Sequence, residues 1–303
     1  ILHGGTEDDI LYGGAGSDNL SGGAGLDTID GGEGNEEIGG GDNIDYSSEV
    51  QSLDINLKKV GADLAGYSTA TIGGQKADYL KNIENIVGTT DDDYIGGDDD
   101  NNTLQGNYGN DTIIGAGGND VLLGGKGNDI FKAGLDSNGD KILEDGDDGE
   151  DIIDGDGGVG DATGIDTVDY SAISKSINVD LSVIALDTYT TVAVDTYSDD
   201  KIKNIENIVG SSANDTIYGD SKDNSLAGSA GNDTLYGAGG ADVLDGGDGI
   251  DRADYSKAAG KIEVDMNIAT QVSNDGDGSS DKLISIEEII GTDYNDTDRR
   301  ASC

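Results

Sequence analysis

Aspartate recurs every nine residues in this chain, each time at the end of a glycine-rich loop. The clearest run is residues 106–132, GNYGNDTII, GAGGNDVLL and GGKGNDIFK, in which Asp111, Asp120 and Asp129 take the sixth position. Glycine-rich loops bend sharply and can turn several carbonyl oxygens toward one point, to which the aspartate adds a carboxylate. Oxygen ligands on a flexible loop suit Ca²⁺ better than Mg²⁺. The spacing therefore predicts a row of calcium sites.

The same units predict the elements that position these aspartates. Ile113, Leu122 and Phe131 take the eighth position, and the middle residue of a three-residue strand is the one that points inward. A turn followed by a short strand, repeated in register, predicts a solenoid with two units per coil. A flexible acidic linker is the compositional alternative, but a linker has no reason to place an apolar residue two positions after each aspartate.

The pattern GGxGxDx(apolar)x resembles the nonapeptide of the RTX, or haemolysin-type calcium-binding, proteins. The resemblance implies an all-β fold: parallel β-roll or β-helix solenoid blocks with Ca²⁺ in the turns, joined by β-rich spacer modules. In that family units n and n+2 stack, and one ion lies between their loops. The resemblance also implies a secreted protein, extracellular or at the cell surface. Such proteins leave through type I secretion machinery, so we expect this chain to be part of a longer protein.

The repeats divide the chain into blocks and other segments. We predict RTX blocks at 4–48, 88–132 and 210–254, β-rich spacers at 49–87, 169–209 and 255–290, an acidic insert at 133–168, and a truncated repeat and tail at 291–303. Blocks 2 and 3 match unit for unit. The hexapeptide IENIVG precedes each of them, at 83–88 and 205–210, which indicates a duplication of about 120 residues.

The candidate calcium ligands are the sixth-position residues. They are Asp9, Asp18, Asp27 and Asp45 in block 1, Asp93, Asn102, Asp111, Asp120 and Asp129 in block 2, and Asp215, Asn224, Asp233, Asp242 and Asp251 in block 3. Glu36 departs from the pattern. The family's stacking rule pairs Asp18 with Glu36 and Asp27 with Asp45, and gives roughly eight or more ions in all. Pairs that contain Asn should bind more weakly.

A second kind of site is predicted in the acidic insert. Asp136, Asn138 and Asp140 have the i, i+2, i+4 oxygen spacing of an EF-hand-like loop. Lys141 replaces the sharp-turn glycine, and neither flank predicts a helix. A solvated acidic loop is the alternative hypothesis.

Composition limits the partners. With 63 acidic and 17 basic residues the net charge is −46, the balance of a disordered polyanion unless bound cations offset it. No basic patch exists to neutralise phosphates, so we expect no nucleic-acid partner and no membrane insertion by this segment. The apolar runs are far shorter than the ~20 residues of a spanning helix. Cys303 is the only cysteine, which excludes an internal disulfide.

The function classes that remain are not enzymatic. The chain has no HExxH or GxSxG motif and a single histidine, His3, so we expect no catalysis. Two roles stay open: a calcium-stiffened structural, adhesive or surface segment, or the secretion and folding region of a toxin or hydrolase. Tyr12, Tyr218 and Tyr236 end their units; a carbohydrate partner is one hypothesis for them, and a solvated sheet face is the favoured one.

Overall fold

The computed structural model describes residues 1–33, 40–58, 66–134, 149–157, 164–182, 189–194, 197–265 and 271–299. Every regular element in that part is a β-strand, and none of its segments forms a helix long and apolar enough to cross a bilayer. The chain divides into two compact units, Ile1–Asp166 and Thr167–Cys303. The EF-hand-like residues Asp136, Asn138 and Asp140 lie outside the described residues.

The first unit is built from two sheets of short strands. Its strands are β1 (Leu2–Gly5), β2 (Ile10–Ala15), β3 (Asn19–Gly23), β4 (Asp27–Glu33), β5 (Asn43–Asp45), β6 (Leu53–Asn56), β7 (Ser68–Ile72), β8 (Gln75–Lys81), β9 (Asn85–Val87), β10 (Tyr94–Gly96), β11 (Thr103–Tyr108), β12 (Thr112–Ile114), β13 (Val121–Lys126), β14 (Ile130–Lys132) and β15 (Ile152–Asp154). One sheet has the order β1-β3-β5-β9-β11-β13-β15 and the other β2-β4-β8-β7-β6-β10-β12-β14.

The second unit repeats this arrangement. Its strands are β16 (Thr167–Asp169), β17 (Ile177–Asp180), β18 (Thr190–Val194), β19 (Tyr197–Lys203), β20 (Asn207–Val209), β21 (Thr216–Tyr218), β22 (Ser225–Ala227), β23 (Thr234–Tyr236), β24 (Val243–Asp245), β25 (Arg252–Asp254), β26 (Glu263–Asp265), β27 (Gln271–Asn274), β28 (Asp281–Ile284), β29 (Glu288–Ile290) and β30 (Thr297–Arg299). The orders are β19-β18-β17-β21-β23-β25-β29 and β16-β20-β22-β24-β28-β27-β26-β30.

The nonapeptide units alternate between the two sheets. Strand β10 pairs in parallel with β12 and β12 with β14, with Ile95 opposite Ile113 and Ile113 opposite Phe131. Strands β11 and β13 pair in the other sheet, with Leu104 opposite Leu122. Each unit therefore stacks on the unit two places along, 18 residues away. This register confirms the predicted parallel β-roll.

The core is a row of single inward side chains between the sheets. Ile95, Ile113 and Phe131 are fully buried, as are Leu226 and Leu244 in the second unit. The residue before each of them is partly or fully exposed; Ile130, next to Phe131, is 38% exposed. Burying one such side chain contributes about 1.5–3 kcal/mol. One large residue per unit makes a thin core, so a fold of this kind needs further stabilisation in its loops.

The spacers interrupt the roll with antiparallel strands and then rejoin it. In the first spacer β6, β7 and β8 form an antiparallel meander, while β8 pairs in parallel with β4 and β6 in parallel with β10. The meanders β17-β18-β19 and β26-β27-β28 repeat this in the second unit. The spacer strands thus extend the sheets of their own unit.

Candidate calcium sites

The sixth-position carboxylates form a ladder from one coil to the next. In each pair the backbone N–H of the earlier residue donates to one oxygen of the later aspartate: Asp93 N–H to Asp111 Oδ1 at 2.8 Å, and Asp111 N–H to Asp129 Oδ1 at 2.8 Å. Asp215, Asp233 and Asp251 repeat the pattern, and so do Asp9 with Asp27, Asn102 with Asp120, and Asn224 with Asp242. One carboxylate oxygen of the later unit in each pair is therefore used to hold the unit two places earlier.

The second oxygen of many ladder aspartates is buried and accepts no hydrogen bond from the described residues. These atoms are the Oδ2 of Asp27, Asp42, Asp111, Asp129, Asp233, Asp242 and Asp251. An ionised carboxylate oxygen removed from water without a donor costs free energy that a cation or a proton must offset. The fold therefore presents a series of oxygen ligands aligned along each sheet.

A main-chain carbonyl oxygen accompanies five of these atoms, the Oδ2 of Asp42, Asp111, Asp129, Asp233 and Asp251. A Cβ atom added to Gly106 would lie 2.1 Å from Asp111 Oδ2 and 2.7 Å from the carbonyl oxygen of Gly124 in the next coil. The two oxygens are thus at most about 5 Å apart, a separation that two ligands of one Ca²⁺ at 2.3–2.6 Å can have. Gly228, Asp233 and Gly246 repeat this arrangement. Glycine is required at the first position because any side chain would fill the space between the oxygens.

The pKa values of these carboxyls reflect their burial and their closeness to one another. Burial, together with the nearby carboxylates of Asp129 and Asp93, raises the pKa of Asp111 to about 8. Burial followed by Asp281 and Asp275 raises the pKa of Asp242 to about 8, and burial with Asp215 and Asp251 raises that of Asp233 to about 7. A bound divalent cation inverts this preference for the protonated form. The donor set therefore fits Ca²⁺, which the carboxylates of Asp111, Asp233 and Asp242 could hold.

Main-chain carbonyl oxygens and water are the other ligands that Ca²⁺ takes in such loops. Among the described residues, no three His, Cys, Asp or Glu side chains converge as a ready-made metal cluster. Sites of one or two carboxylates completed by carbonyl oxygens are typical of calcium loops. The family model of the RTX calcium-binding nonapeptide repeat (4 copies) matches residues 3–35, 15–46, 96–131, 204–221 and 218–253, which fall in all three blocks.

This chain contains an RTX calcium-binding region. No curated protein matches it. The RTX repeats belong to a structural, calcium-binding repeat family, and Ca²⁺ is the ion that the ladder oxygens fit.

Block 1 of the RTX region differs from its predicted pairing. Asp18 N–H donates to Asp42 Oδ1 at 2.7 Å across 24 residues, where the regular step is 18, and Asp27 N–H donates to Asp78 Oδ1 at 3.1 Å. Asp27 is therefore paired with Asp78 rather than with the predicted Asp45, and Asp18 is paired with Asp42; Glu36, the predicted partner of Asp18, lies outside the described residues. The reason is a longer unit that places Asn43 opposite Asn19 and Ile44 opposite Leu20.

The structure places Asp42, rather than Asp45, in the ladder. Asp45 is exposed at the end of β5, where its Oδ1 accepts the N–H of Ser47 at 2.8 Å. The sequence does carry the signal that identifies Asp42. The three DYS motifs read DNIDYS, DTVDYS and DRADYS, and the first aspartate of each, Asp42, Asp166 and Asp251, is the ladder residue.

The ladder also continues beyond the predicted units. Asp129 N–H donates to Asp166 Oδ1 at 2.8 Å, Asp120 N–H to Asp151 Oδ1 at 2.9 Å, and Asp242 N–H to Asp281 Oδ1 at 3.0 Å. These three acceptors stand in segments that we predicted as insert and spacer. Asp9 and Asp18, in the first coils, are half-buried.

A tyrosine hydroxyl donates a hydrogen bond to each of three spacer aspartates. The hydroxyl of Tyr46 donates to Asp78 Oδ2 at 2.7 Å, that of Tyr170 to Asp200 Oδ2 at 3.2 Å, and that of Tyr255 to Asp281 Oδ2 at 2.8 Å. In each DYS motif the tyrosine thus supplies a donor to the second carboxylate oxygen.

The outer tyrosines Tyr218 and Tyr236 instead stack on each other, 3.9 Å between ring centroids, with Lys257 Nζ 4.1 Å from the centroid of Tyr218.

Proposed function

We propose that this RTX region is a calcium-folded, stiffened segment of a secreted protein. The observation that carries the proposal is the series of buried Oδ2 atoms that have no hydrogen-bond donor among the described residues, five of which lie beside a carbonyl oxygen of the next coil. Inside a cell, where free Ca²⁺ is scarce, these oxygens and a net charge of −46 oppose folding. Outside, Ca²⁺ near the millimolar range of extracellular modules would offset that charge.

The magnitude is sufficient for a switch. A site at ten times its dissociation constant contributes about 1.4 kcal/mol. Roughly eight sites therefore contribute about 11 kcal/mol, similar to the whole ~5–15 kcal/mol net stability of a folded protein. Because each ion would contact two coils, its binding energy acts directly on the stacking that forms the roll.

A calcium titration followed by far-UV circular dichroism tests this function. We expect β structure to be largely lost in excess EGTA and restored by millimolar Ca²⁺. Mg²⁺ at the same concentration is the control and should restore much less, because its tight octahedral geometry suits these loops poorly. Full β structure persisting in EGTA would contradict the proposal.

The role as a stiff structural, adhesive or surface segment is supported by the way the spacers pair. In the first unit β6 and β8 join the strands of both flanking blocks in parallel, so blocks 1 and 2 share continuous sheets. Passage through type I secretion machinery in the unfolded state is part of the same proposal. Small-angle scattering with and without Ca²⁺ tests it: the radius of gyration should fall to a fixed value only with Ca²⁺, and a radius of gyration independent of Ca²⁺ would argue against a stiffened segment.

A further inference from the structure

The RTX loops adopt two conformations, distinguished at their second residue. In one set the second residue has a positive φ, between 67° and 114°, or 126° at Gly5. This set, which we call open loops, has Gly5, Gly14, Gly23, Gly32, Asn107, Ala116, Gly125, Ser229, Ala238 and Gly247 at the second position. In the other set, the closed loops, the second residue has no positive φ; these residues are Thr89, Asp98, Ser211, Asp220 and Thr292.

In the closed loops the second residue occupies the oxygens of the sixth. Ser211 N–H donates to Asp215 Oδ2 at 2.6 Å, and Ser211 Oγ donates to Asp215 Oδ1 at 2.8 Å while accepting the N–H of Ala213 at 3.0 Å. Thr89 makes the same three bonds around Asp93. A peptide N–H aimed at a carboxylate oxygen occupies the place of a cation and repels one.

The two loops that end in asparagine are closed as well. Asp220 N–H donates to Asn224 Oδ1 at 2.8 Å, and Asn224 Nδ2 donates to the carbonyl oxygen of Glu206 at 2.9 Å. Asp98, Asn102 and Glu84 form the same pair of bonds in block 2. The amide group thus links an acceptor of one coil to its own loop. In an open loop, the aspartate oxygen and the carbonyl oxygen are both acceptors, so a cation between them would be needed to link the two coils.

The unpartnered oxygens follow the loop conformation. Each of the buried Oδ2 atoms at Asp27, Asp42, Asp111, Asp129, Asp233, Asp242 and Asp251 belongs to an open loop. Both oxygens of Asp215 have donors: Ile177 N–H at 2.8 Å and the Ser211 hydroxyl on Oδ1, and Ser211 N–H on Oδ2. The peptide at the second position therefore decides whether an aspartate has an oxygen to offer.

We propose that only the open loops bind Ca²⁺ and that the closed loops are metal-free closures made by the chain's own donors. This inference rests on the proposed function. Blocks 2 and 3 then bind ions only at their last three loops, which end at Asp111, Asp120 and Asp129 and at Asp233, Asp242 and Asp251. Their first two loops, next to the spacers, bind none. The Asn102 and Asn224 loops are thereby closed positions rather than weak sites.

Counting bound ions in the whole chain tests the inference. Native mass spectrometry in saturating Ca²⁺ should find one ion fewer in Asp233→Asn and the wild-type number in Asp215→Asn, although both residues are buried ladder aspartates. Ser211→Gly, which gives that loop the glycine pair of an open loop, should gain one ion. Ser211→Thr keeps the hydroxyl and should gain none, and Ser229→Gly, in a loop that is already open, should also gain none.

Each result separates the two hypotheses. Suppose that the wild-type chain binds Ca²⁺ and that Asp215→Asn and Asp233→Asn each lose one ion. That result would overturn the inference and leave the proposed function intact. A wild-type chain that binds no Ca²⁺ would overturn both. If Ser211→Gly does not fold, the pair Asp215→Asn and Asp233→Asn still decides the question, because both substitutions preserve side-chain size.

Discussion

Replacing Gly106 with alanine should remove one calcium site, because the added methyl group would collide with the oxygens proposed to form it. The new Cβ would lie 2.1 Å from Asp111 Oδ2 and 2.7 Å from the Gly124 carbonyl oxygen, both closer than the 3.0 Å below which real Cβ contacts essentially do not occur. Gly124 contributes backbone, and Asp111 Oδ1 is held by the N–H of Asp93 at 2.8 Å, so neither can move freely. The φ of Gly106 is not in the left-handed region, so backbone strain does not contribute.

The expected cost is that of overpacking a fixed site. Such insertions destabilise by about 1–3 kcal/mol, and here the displaced atoms are also the proposed ligands. Urea unfolding of the calcium-saturated chain, followed by circular dichroism, should show this loss, and native mass spectrometry should find one ion fewer. Gly117→Ala is the matched control, because a Cβ there has its nearest neighbour, Asp99 Cα, at an ordinary 3.5 Å.

The comparison is repeated independently in block 3. A Cβ on Gly246 would lie 2.2 Å from the carbonyl oxygen of Ser285 and 2.6 Å from Asp251 Oδ2, whereas one on Gly239 meets nothing closer than 3.9 Å. Gly246→Ala should therefore lose an ion and Gly239→Ala should not. Equal ion counts and equal unfolding midpoints in Gly106→Ala and Gly117→Ala would refute the assignment of the ligand oxygens.

Three further changes test the fold and its charges. Tyr255→Phe removes the buried donor to Asp281 Oδ2 and should cost about 1–3 kcal/mol in urea unfolding; Tyr12→Phe, at a side chain 65% exposed, is the control, and equal effects would contradict the role of the tyrosine. Ile113→Ala at a fully buried position should cost about 2–5 kcal/mol, and Ile130→Ala, 38% exposed, much less by the same measurement. In metal-free buffer, acid should favour folding: the pKa values of Asp111 and Asp242 in the fold are about 8, above the unfolded value near 4, so the folded state binds more protons. Its stability should be greatest below about pH 4 and fall as the pH rises to 8, and β content that increased with pH would contradict this.

The roll itself could be predicted from the sequence because its determinants are local. An apolar residue two positions after each Asp fixes which side chain points inward, and a constant nine-residue period fixes the pairing, so Ile113 does lie opposite Phe131. Asp45 was predicted for the ladder position that Asp42 occupies, because the step from Asp18 is 24 residues rather than the regular 18. A constant nine-residue period does not show where extra residues are inserted into a unit. Only comparison of the three DYS motifs points to Asp42.

The open and closed loops could not be predicted from residue type. Ser211 and Ser229 both take the second position, yet only Ser229 has a positive φ, of 78°. Ser229 Oγ donates to the carbonyl oxygen of Gly210, in the loop one coil earlier, at 3.0 Å. The loop of Ser211 instead stacks on the spacer strand β17, whose Ile177 N–H donates to Asp215 Oδ1, and the Ser211 hydroxyl donates to Asp215 in its own loop. Residue type alone therefore does not set the loop conformation, because contacts with the preceding coil, which is distant in sequence, also contribute.

The positions of the closed loops follow from the charge of the ladder. Neighbouring coils lie about 4.8 Å apart, so an uninterrupted row of ionised aspartates would accumulate repulsion along the whole sheet. In blocks 2 and 3 the row begins with residues that need no cation, Asp93 and Asn102 or Asp215 and Asn224, and the spacers supply Tyr46, Tyr170 and Tyr255 as further donors. Each series of consecutive open loops in these blocks is therefore short, and it adjoins a coil whose aspartate or asparagine oxygens accept hydrogen bonds from the chain's own donors. The first ion of a run then adds to an existing coil, which avoids the larger entropic cost of ordering two loops at once.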